Sequence, residues 1–123
     1  MEIVATYPAG IIAKTAQNLK TSADGEQMEW VTLYPEFGMI AEKEGFPEVA
    51  QTFYQVAKVE AYHERRYREL LGNLESGTVF KKGDTEPWKC RNCGYVQESK
   101  EAPQKCPVCH HPRAYFELYS ENY

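Results

Sequence analysis

The sequence predicts a mostly helical protein, with a pair of long bundle helices followed by a small β module that a metal ion stabilises. Three observations predict this fold class. A helical pattern with steps of three or four positions, in part apolar, runs over residues 15–43 and 47–75, as on helices that pack in a bundle. Four cysteines lie in two close pairs in the last third of the chain. The 123 residues have room for a helical segment and one small accessory domain.

The first helical pattern runs from about Thr15 to Lys43. Gly25 weakens a helix by about 1 kcal/mol relative to alanine. Pro35 removes a backbone hydrogen bond, so we predict a kink there. The positions that recur at steps of three or four are Leu19, Ser22, Glu26, Glu29, Leu33, Phe37 and Ile40.

The second helix begins at Pro47, a residue suited to the first helical turn, and runs to about Glu75. Its apolar stripe consists of Val49, Phe53, Val56, Tyr67, Leu70 and Leu74. Glu60 and His63 fall on this stripe in register. An unpaired carboxylate in a core is strongly disfavoured, and a metal ion is the strongest compensator, so the pattern indicates a metal site. We predict an ordinary solvated face for Glu64, Arg65, Arg66 and Arg68.

Two pairs of side chains on these helices have the spacing of metal ligands. Glu26 and Glu29 lie on adjacent turns of the first helix, as Glu60 and His63 do on the second, because residues three apart are neighbours. Carboxylate and imidazole suit iron or manganese, and a bundle core lined with them binds a pair of such ions. The alternative is a charged surface on which such pairs occur by chance. Because Glu26 and Glu60 lie on the apolar stripes, we favour a di-metal site.

The segments outside the helices divide the chain. Residues 1–14, with a Pro-Ala-Gly turn at positions 8–10, are predicted to be a connector. Ser76–Pro87 is rich in glycine, threonine and charge, and is predicted to be a linker. We therefore expect the helix pair and its connector in residues 1–80 and the cysteine module in residues 85–123.

The four cysteines form two C-x-x-C pairs separated by twelve residues, Cys90 with Cys93 and Cys106 with Cys109. Two thiolates three positions apart can bind one ion from a tight turn, and two such turns complete a tetrahedron for zinc or iron. In a reducing cytosol this clustering favours a metal over disulfides. Gly94 permits the positive φ that such a turn needs. Since four cysteines already close the site, we expect His110 and His111 to face solvent or bind backbone.

Composition excludes several classes of protein. The net charge of -4 and the isoelectric point near 5.4 argue against nucleic acid or an anionic membrane surface as the main partner. The sequence contains no apolar run of membrane-spanning length, and its N-terminus lacks the features of a signal peptide. We therefore expect a soluble cytoplasmic protein.

The residues around the cysteines favour iron over zinc. Trp88 precedes the first pair and Tyr95 follows it, and with the C-G-Y and C-P-x-C sequences they resemble rubredoxin, a mononuclear iron electron carrier. Aromatic packing around the sulfurs limits the access of water, which is one means of tuning a redox potential.

Several motifs of the chain are found together: ATYPAG at residues 5–10, GEQMEW at 25–30, YPEF at 34–37, the second helix with Glu60 and His63, and the cysteine module. With these motifs the chain resembles rubrerythrins over nearly its whole length. The resemblance implies a ferritin-like four-helix bundle with a di-iron site, joined to a rubredoxin-like domain with one iron in four thiolates. It also implies reduction of hydrogen peroxide to water, with electrons from an NADH-linked reductase or a rubredoxin.

The resemblance assigns roles by position. Glu26 and Glu29 match the carboxylate pair on the family's third helix, and Glu60 and His63 match the metal-binding pair on its fourth. Tyr34 matches a tyrosine beside the di-iron site. Zinc stays a possible substitute for iron at either site.

The chain also departs from the family, whose members carry an earlier helix pair with a further glutamate and a second E-x-x-H-type motif. Here Met1 stands where the crossover between the helix pairs would begin. Either the chain is a fragment with a broken di-iron site, or two copies pair. A two-fold dimer supplies two copies each of Glu26, Glu29, Glu60 and His63, which include the four Glu and two His of such a site. It would also cover the apolar stripes of the two helices, which a single chain leaves exposed to solvent, so we expect a homodimer.

Two other functions remain open from the sequence. The first is an electron carrier in which only the thiolate-bound iron is active and the helices form a dimerisation stalk. The second is a zinc-ribbon interaction module with the helices as its scaffold.

Overall fold

The structure, a computed structural model, describes residues 2, 4, 10 and 12–123. Pro8 and Ala9 of the predicted turn lie outside the described residues. The described residues form two compact units, a helical one up to Gly72 and one from Asn73 onward that contains a small antiparallel sheet. The predicted fold class, a helical segment followed by a small β module, is confirmed. Among the described helices, none combines the length and apolar character needed to span a bilayer.

The first helical segment has three parts. Helix α1 is Thr15–Met28, a π-helix follows at Glu29–Leu33, and helix α2 is Tyr34–Lys43. The outer bounds match the prediction, but the apolar period did not reveal the π-helix. The N–H of Tyr34 donates to the carbonyl of Glu29, which closes the wider turn immediately before Pro35. Pro35 has no N–H, so it cannot donate the next α-helical hydrogen bond. The irregular turn therefore lies where the series of backbone hydrogen bonds loses a donor.

Helix α3, Pro47–Glu75, matches the predicted second helix. The chain turns into it through Gly45, which has a φ of +85°. The N–H of Phe46 donates to the carbonyl of Ala41 at 2.8 Å, and the N–H of Gly45 donates to the carbonyl of Glu42 at 3.0 Å. These bonds satisfy the last carbonyls of α2 and form a glycine-based helix cap.

Small residues and one aromatic cluster pack the helices of this unit. Its most buried positions are Ala23, Gly38, Ala41 and Ala50. The rings of Phe37 and Phe53 have centroids 5.4 Å apart, and the rings of Tyr34 and Phe53 stack at 6.1 Å. Small side chains thus allow close approach, and the aromatic cluster joins α2 to α3.

One apolar face of the helix pair is open to solvent. Ile40 and Phe46 are 53% and 57% exposed. Val49, 47% exposed, belongs to this face and lies on the same stripe of α3 as Glu60 and His63. The groove of this face near the α2–α3 turn is lined by Phe37, Ile40, Ala41, Glu44, Phe46, Val49 and Phe53.

The contact between α2 and α3 predicts opposite effects for two glycine substitutions. A Cβ added at Gly38 would lie 2.7 Å from Cζ of Tyr54 and closer still to its Cε1. We expect Gly38→Ala to lower the free energy of unfolding by about 1–3 kcal/mol because the packed ring of Tyr54 must shift. Gly25→Ala is the matched control, since nothing lies within 4 Å of its added Cβ. It should raise the free energy of unfolding by about 1 kcal/mol. Urea denaturation followed by circular dichroism measures both, and changes of the same sign would contradict this packing.

The second unit contains three antiparallel strands, β1 at Lys81–Cys90, β2 at Val96–Glu101 and β3 at Phe116–Leu118. Strand β1 lies in the centre, between β2 and β3. The indole N–H of Trp88 donates to the carbonyl of Ser99 at 2.9 Å. The buried core of this unit consists of Trp88, Cys90, Ala102, Cys106 and Phe116. Two of these five residues are cysteines of the predicted metal site.

The predicted linker at Ser76–Pro87 is wrong in its second half, because β1 begins at Lys81. Lys81 pairs with Glu101, and the N–H of Ala102 donates to the carbonyl of Phe80 at 2.9 Å. Most of the first half of β1 is exposed on both faces, so its sequence lacks the alternation by which a half-buried strand is recognised.

Candidate metal centres

The second unit brings the four cysteine sulfurs together. All four Sγ atoms lie within 4.8 Å of one another. The Sγ atoms of Cys90 and Cys109 are 3.6 Å apart, and so are those of Cys93 and Cys106. A tetrahedron with metal–sulfur bonds of about 2.3 Å has edges of about 3.8 Å. Two of the sulfur pairs are therefore close to the spacing that a single tetrahedral ion requires, and the sulfurs all lie within 4.8 Å of one another.

The two C-x-x-C turns have the same backbone structure. The N–H of Gly94 donates to the carbonyl of Cys90 at 2.9 Å, and the N–H of His110 donates to the carbonyl of Cys106 at 3.0 Å. The φ angles of Gly94 and His110 are +81° and +62°. The predicted positive φ at Gly94 is confirmed, and His110 adopts the same conformation in the second turn, where histidine is tolerated better than most residues.

The protonation of the cysteines reflects the crowding of their sulfurs. The backbone N–H of His111 stabilises the thiolate of Cys109 and lowers its pKa to about 5. The backbone N–H of Tyr95 acts in the same sense on Cys93, but burial and the neighbouring thiols outweigh it and raise the pKa of Cys93 to about 12. A cation among the sulfurs would compensate the charge that they cannot accommodate together, which fits a four-thiolate metal centre.

The two histidines after the last cysteine lie as predicted. Nδ1 of His111 is 3.2 Å from the carbonyl oxygen of Cys109, and its ring centroid is 4.4 Å from that of Tyr115. His110 is exposed. Neither histidine belongs to the group of sulfur donors.

The helical unit brings together Glu26 of α1 with Glu60 and His63 of α3. One donor atom from each side chain lies within 4.8 Å of the other two. Nδ1 of His63 is 2.6 Å from a carboxylate oxygen of Glu60 and 3.6 Å from one of Glu26. The carboxylates of Glu26 and Glu60 are only 18% and 12% exposed, whereas His63 is half exposed. The group therefore has two sheltered carboxylates and one imidazole at its open side.

The electrostatics of this group favour a bound cation. Burial raises the pKa of Glu26, and the hydrogen bond and negative charge of Glu60 raise it further. The charge of Glu29 acts in the same sense, while His63 acts in the opposite one. A divalent ion would remove the repulsion between these carboxylates, and oxygen and imidazole donors suit iron or manganese. The residues present therefore fit one side of a di-metal site.

Glu29 and Tyr34 lie next to this group without belonging to it. Glu29 is outside the set of three converging donors, although its charge still acts on Glu26. Burial raises the pKa of Tyr34, and the negative charges of Glu29, Glu60 and Glu26 add to this effect. The phenol of Tyr34 therefore keeps its proton beside the carboxylates.

The prediction of an ordinary solvated face after His63 is wrong for Glu64 and Arg68. The indole N–H of Trp30 donates to Glu64 at 2.6 Å, and Nη2 of Arg68 donates to the other carboxylate oxygen at 2.9 Å. Nη1 of Arg68 is 3.0 Å from a carboxylate oxygen of Asp24. A run of charged residues on one helix does not reveal these partners, because they lie on another segment of the chain.

Comparisons with known proteins indicate the same family for both units. A family model described as "Rubrerythrin" matches residues 2–71, and one described as "Rubrerythrin, rubredoxin-like domain" matches residues 88–117. The rubrerythrins of Porphyromonas gingivalis and Clostridium perfringens are 56% and 50% identical to this chain, in alignments that cover all of its 123 residues. A solved nigerythrin in a partially reduced state has a TM-score of 0.51 and 28% identity, covering 94% of this chain and 54% of that one. Another nigerythrin structure, with the same TM-score, is a fully reduced, all-ferrous state.

The lengths differ. This chain spans 62% of the Porphyromonas gingivalis protein and 63% of the Clostridium perfringens protein.

Proposed function

Because the chain belongs to the rubrerythrin family, we propose that it is a non-haem iron peroxidase that reduces hydrogen peroxide to water at a di-iron carboxylate site. The observation that carries the proposal is the convergence of Glu26, Glu60 and His63 from two helices. We assign the peroxide site to residues 1–80 and the electron relay to residues 85–123.

Two donor sets would hold the iron. The helical set consists of Glu26, Glu29, Glu60 and His63, and the second set consists of Cys90, Cys93, Cys106 and Cys109. Iron in these sites supplies the redox chemistry, since a ferrous pair provides the two electrons for cleaving the O–O bond and a thiolate-bound ion passes electrons one at a time. With two protons, each peroxide yields two waters.

The side chains around the helical set have distinct roles in this proposal. Glu29, which lies outside the group of three converging donors, is the carboxylate free to change partner with oxidation state. Tyr34 keeps its proton in this environment and can donate a hydrogen bond to such a carboxylate. His63, half exposed at the open side, is the nitrogen donor.

The helical site requires a second copy of the chain. A di-metal bundle site uses a Glu from each of two helices and a Glu-x-x-His from each of the other two, and one helix pair carries half of that set. A two-fold homodimer supplies the other half by symmetry. It would also cover the open apolar face, of which Val49 lies on the same stripe of α3 as Glu60 and His63. We therefore propose a homodimer with one shared di-iron site.

Electrons would reach the cysteine site from a separate donor, either an NADH-linked reductase or a rubredoxin. The more exposed cysteines are Cys93 and Cys109, the second of each pair. An exposed edge of this kind permits electron transfer to and from a partner without a bound small-molecule cofactor.

One observation favours a second candidate function. Four sulfur donors converge within one chain, whereas the helical set has only three converging donors. If no second copy completes the helical set, the chain would act as an electron carrier through its cysteine site alone.

Metal content and molar mass together test the proposal. We expect a dimer with about two irons per chain, one in the cysteine site and half of a shared pair. Elemental analysis measures the metals, and light scattering measures the mass. One iron per chain would support the electron carrier, and one zinc would support an interaction module. A monodisperse monomer with iron bound at the helices would overturn the dimer.

A further inference from the structure

One hydrogen bond joins the π-helix to α3 beside the carboxylate group. The indole N–H of Trp30 donates to a carboxylate oxygen of Glu64 at 2.6 Å, and the side chain of Glu64 is only 12% exposed. Trp30 directly follows Glu29, and Glu64 directly follows His63. The bond therefore connects the two backbone segments that carry these proposed ligands.

Glu64 is held from both sides. Its second carboxylate oxygen accepts from Nε of Arg68 at 3.1 Å and from Nη2 at 2.9 Å. With both oxygens bonded, the carboxylate has a defined orientation, and charge-assisted bonds of this kind are stronger than neutral ones. Glu64 thus offers Trp30 a fixed acceptor.

The same network reaches the other end of the carboxylate segment. Nη1 of Arg68 is 3.0 Å from a carboxylate oxygen of Asp24, which lies two residues before Glu26. Trp30 lies one residue after Glu29. Side-chain bonds to α3 therefore bracket the stretch from Glu26 to Glu29.

The C-terminal end of the stretch from Glu26 to Glu29 has an unusual backbone conformation. Glu29 is the first residue of the π-helix, and its carbonyl accepts the hydrogen bond that closes the wide turn. π-helical turns are rare, and many of them occur at functional sites. Because such a turn is less favourable than an α-helical one, a tertiary contact at its second residue can decide whether it forms.

We propose that Trp30 and Glu64 are positioning residues, whose hydrogen bond holds the π-helix in the form that directs Glu29 towards the Glu26–Glu60–His63 group. The inference rests on the proposed function of that group as a metal site. Neither residue binds the metal in this proposal, and both act through Glu29.

Metal titration of the full chain tests the proposal. The cysteine site is first filled with zinc, and Co²⁺ is then added while the visible absorption of the carboxylate-bound ion is followed. We expect Trp30→Phe and Glu64→Ala to raise the Kd for Co²⁺ by about 10- to 100-fold, as is typical when a group that orients a ligand is lost. Glu64→Gln keeps an acceptor for the indole, so it should bind Co²⁺ more tightly than Glu64→Ala.

The control is Glu69→Ala, which removes an exposed glutamate from the same helix and should leave the Kd unchanged. Circular dichroism checks that each variant keeps its helices, and the comparison of Glu64→Ala with Glu64→Gln stands if Trp30→Phe does not fold. Two results would overturn this inference while leaving the proposed function intact. One is an equal rise in the Kd for Co²⁺ in Glu64→Ala and Glu64→Gln, and the other is an unchanged Kd in both Trp30→Phe and Glu64→Ala. An unmodified chain that binds no Co²⁺ outside the cysteine site would overturn the proposed function as well.

Discussion

Replacing His63 with alanine is expected to lower peroxide turnover by more than about 100-fold, because it removes the nitrogen donor of the proposed helical site. His63 is half exposed, and its Nδ1 contacts both Glu60 and Glu26. Its loss leaves the two carboxylates without the neighbour that offsets their repulsion. Peroxide consumption by the pre-reduced protein measures the effect. The visible absorption of thiolate-bound iron should not change, because the cysteines lie in the other unit.

His110→Asn is the matched control for this variant, because it removes an imidazole while asparagine tolerates the φ of +62° at this position. His110 is exposed and lies outside both donor groups, so its removal should leave turnover near that of the unmodified chain. Retained turnover in His63→Ala would refute the assignment of the helical site. Equal losses in both variants would point instead to a general effect on stability.

Replacing Cys106 with serine is expected to stop steady-state turnover and to unfold much of the second unit. Cys106 is fully buried and is one of only five residues in the core of that unit. A core of this size cannot stabilise a fold alone, and thiolate-bound metal contributes about 10–16 kcal/mol to comparable small domains. The single-turnover oxidation of a ferrous helical site should persist, because in the proposed function only re-reduction depends on the cysteines.

Val108→Ser serves as the control for this substitution. Val108 lies in the same turn but is 61% exposed, so a polar residue there should preserve both the fold and the iron. Fluorescence of the buried Trp88 reports the folding of the second unit, and far-ultraviolet circular dichroism reports the helices. A second unit that stays folded after the loss of Cys106 and its metal would contradict this account.

Much of the fold could be predicted from local patterns. The bounds of the long helices follow from the apolar period and from Pro47, and both agree with the structure. The cysteine site could be predicted because each pair of ligands lies within one turn, so spacing alone determines their geometry. Glu60 and His63 could be singled out because they interrupt an apolar stripe three residues apart.

Other features depend on contacts that a local pattern does not contain. Glu64 and Arg68 look like a solvated charge run, yet their partners Trp30 and Asp24 lie more than 30 residues earlier in the sequence. The first half of β1 has no alternation, so only its pairing with β2 identifies it as a strand. The same is true of Gly38, whose lack of a side chain matters because the ring of Tyr54 lies against it.

Local residue patterns were therefore enough to predict the helices, the two C-x-x-C pairs and the pairs of candidate ligands on the helices, because each depends on residues within a few positions of one another. The packing of the helices brings Glu26 to Glu60 and His63 and leaves Glu29 outside this group. It also places Trp30 of the π-helix against Glu64 of α3. Such contacts depend on how separate helices lie against each other. The periodicity of one helix specifies which face packs, but it does not specify the rotation and approach of its neighbour.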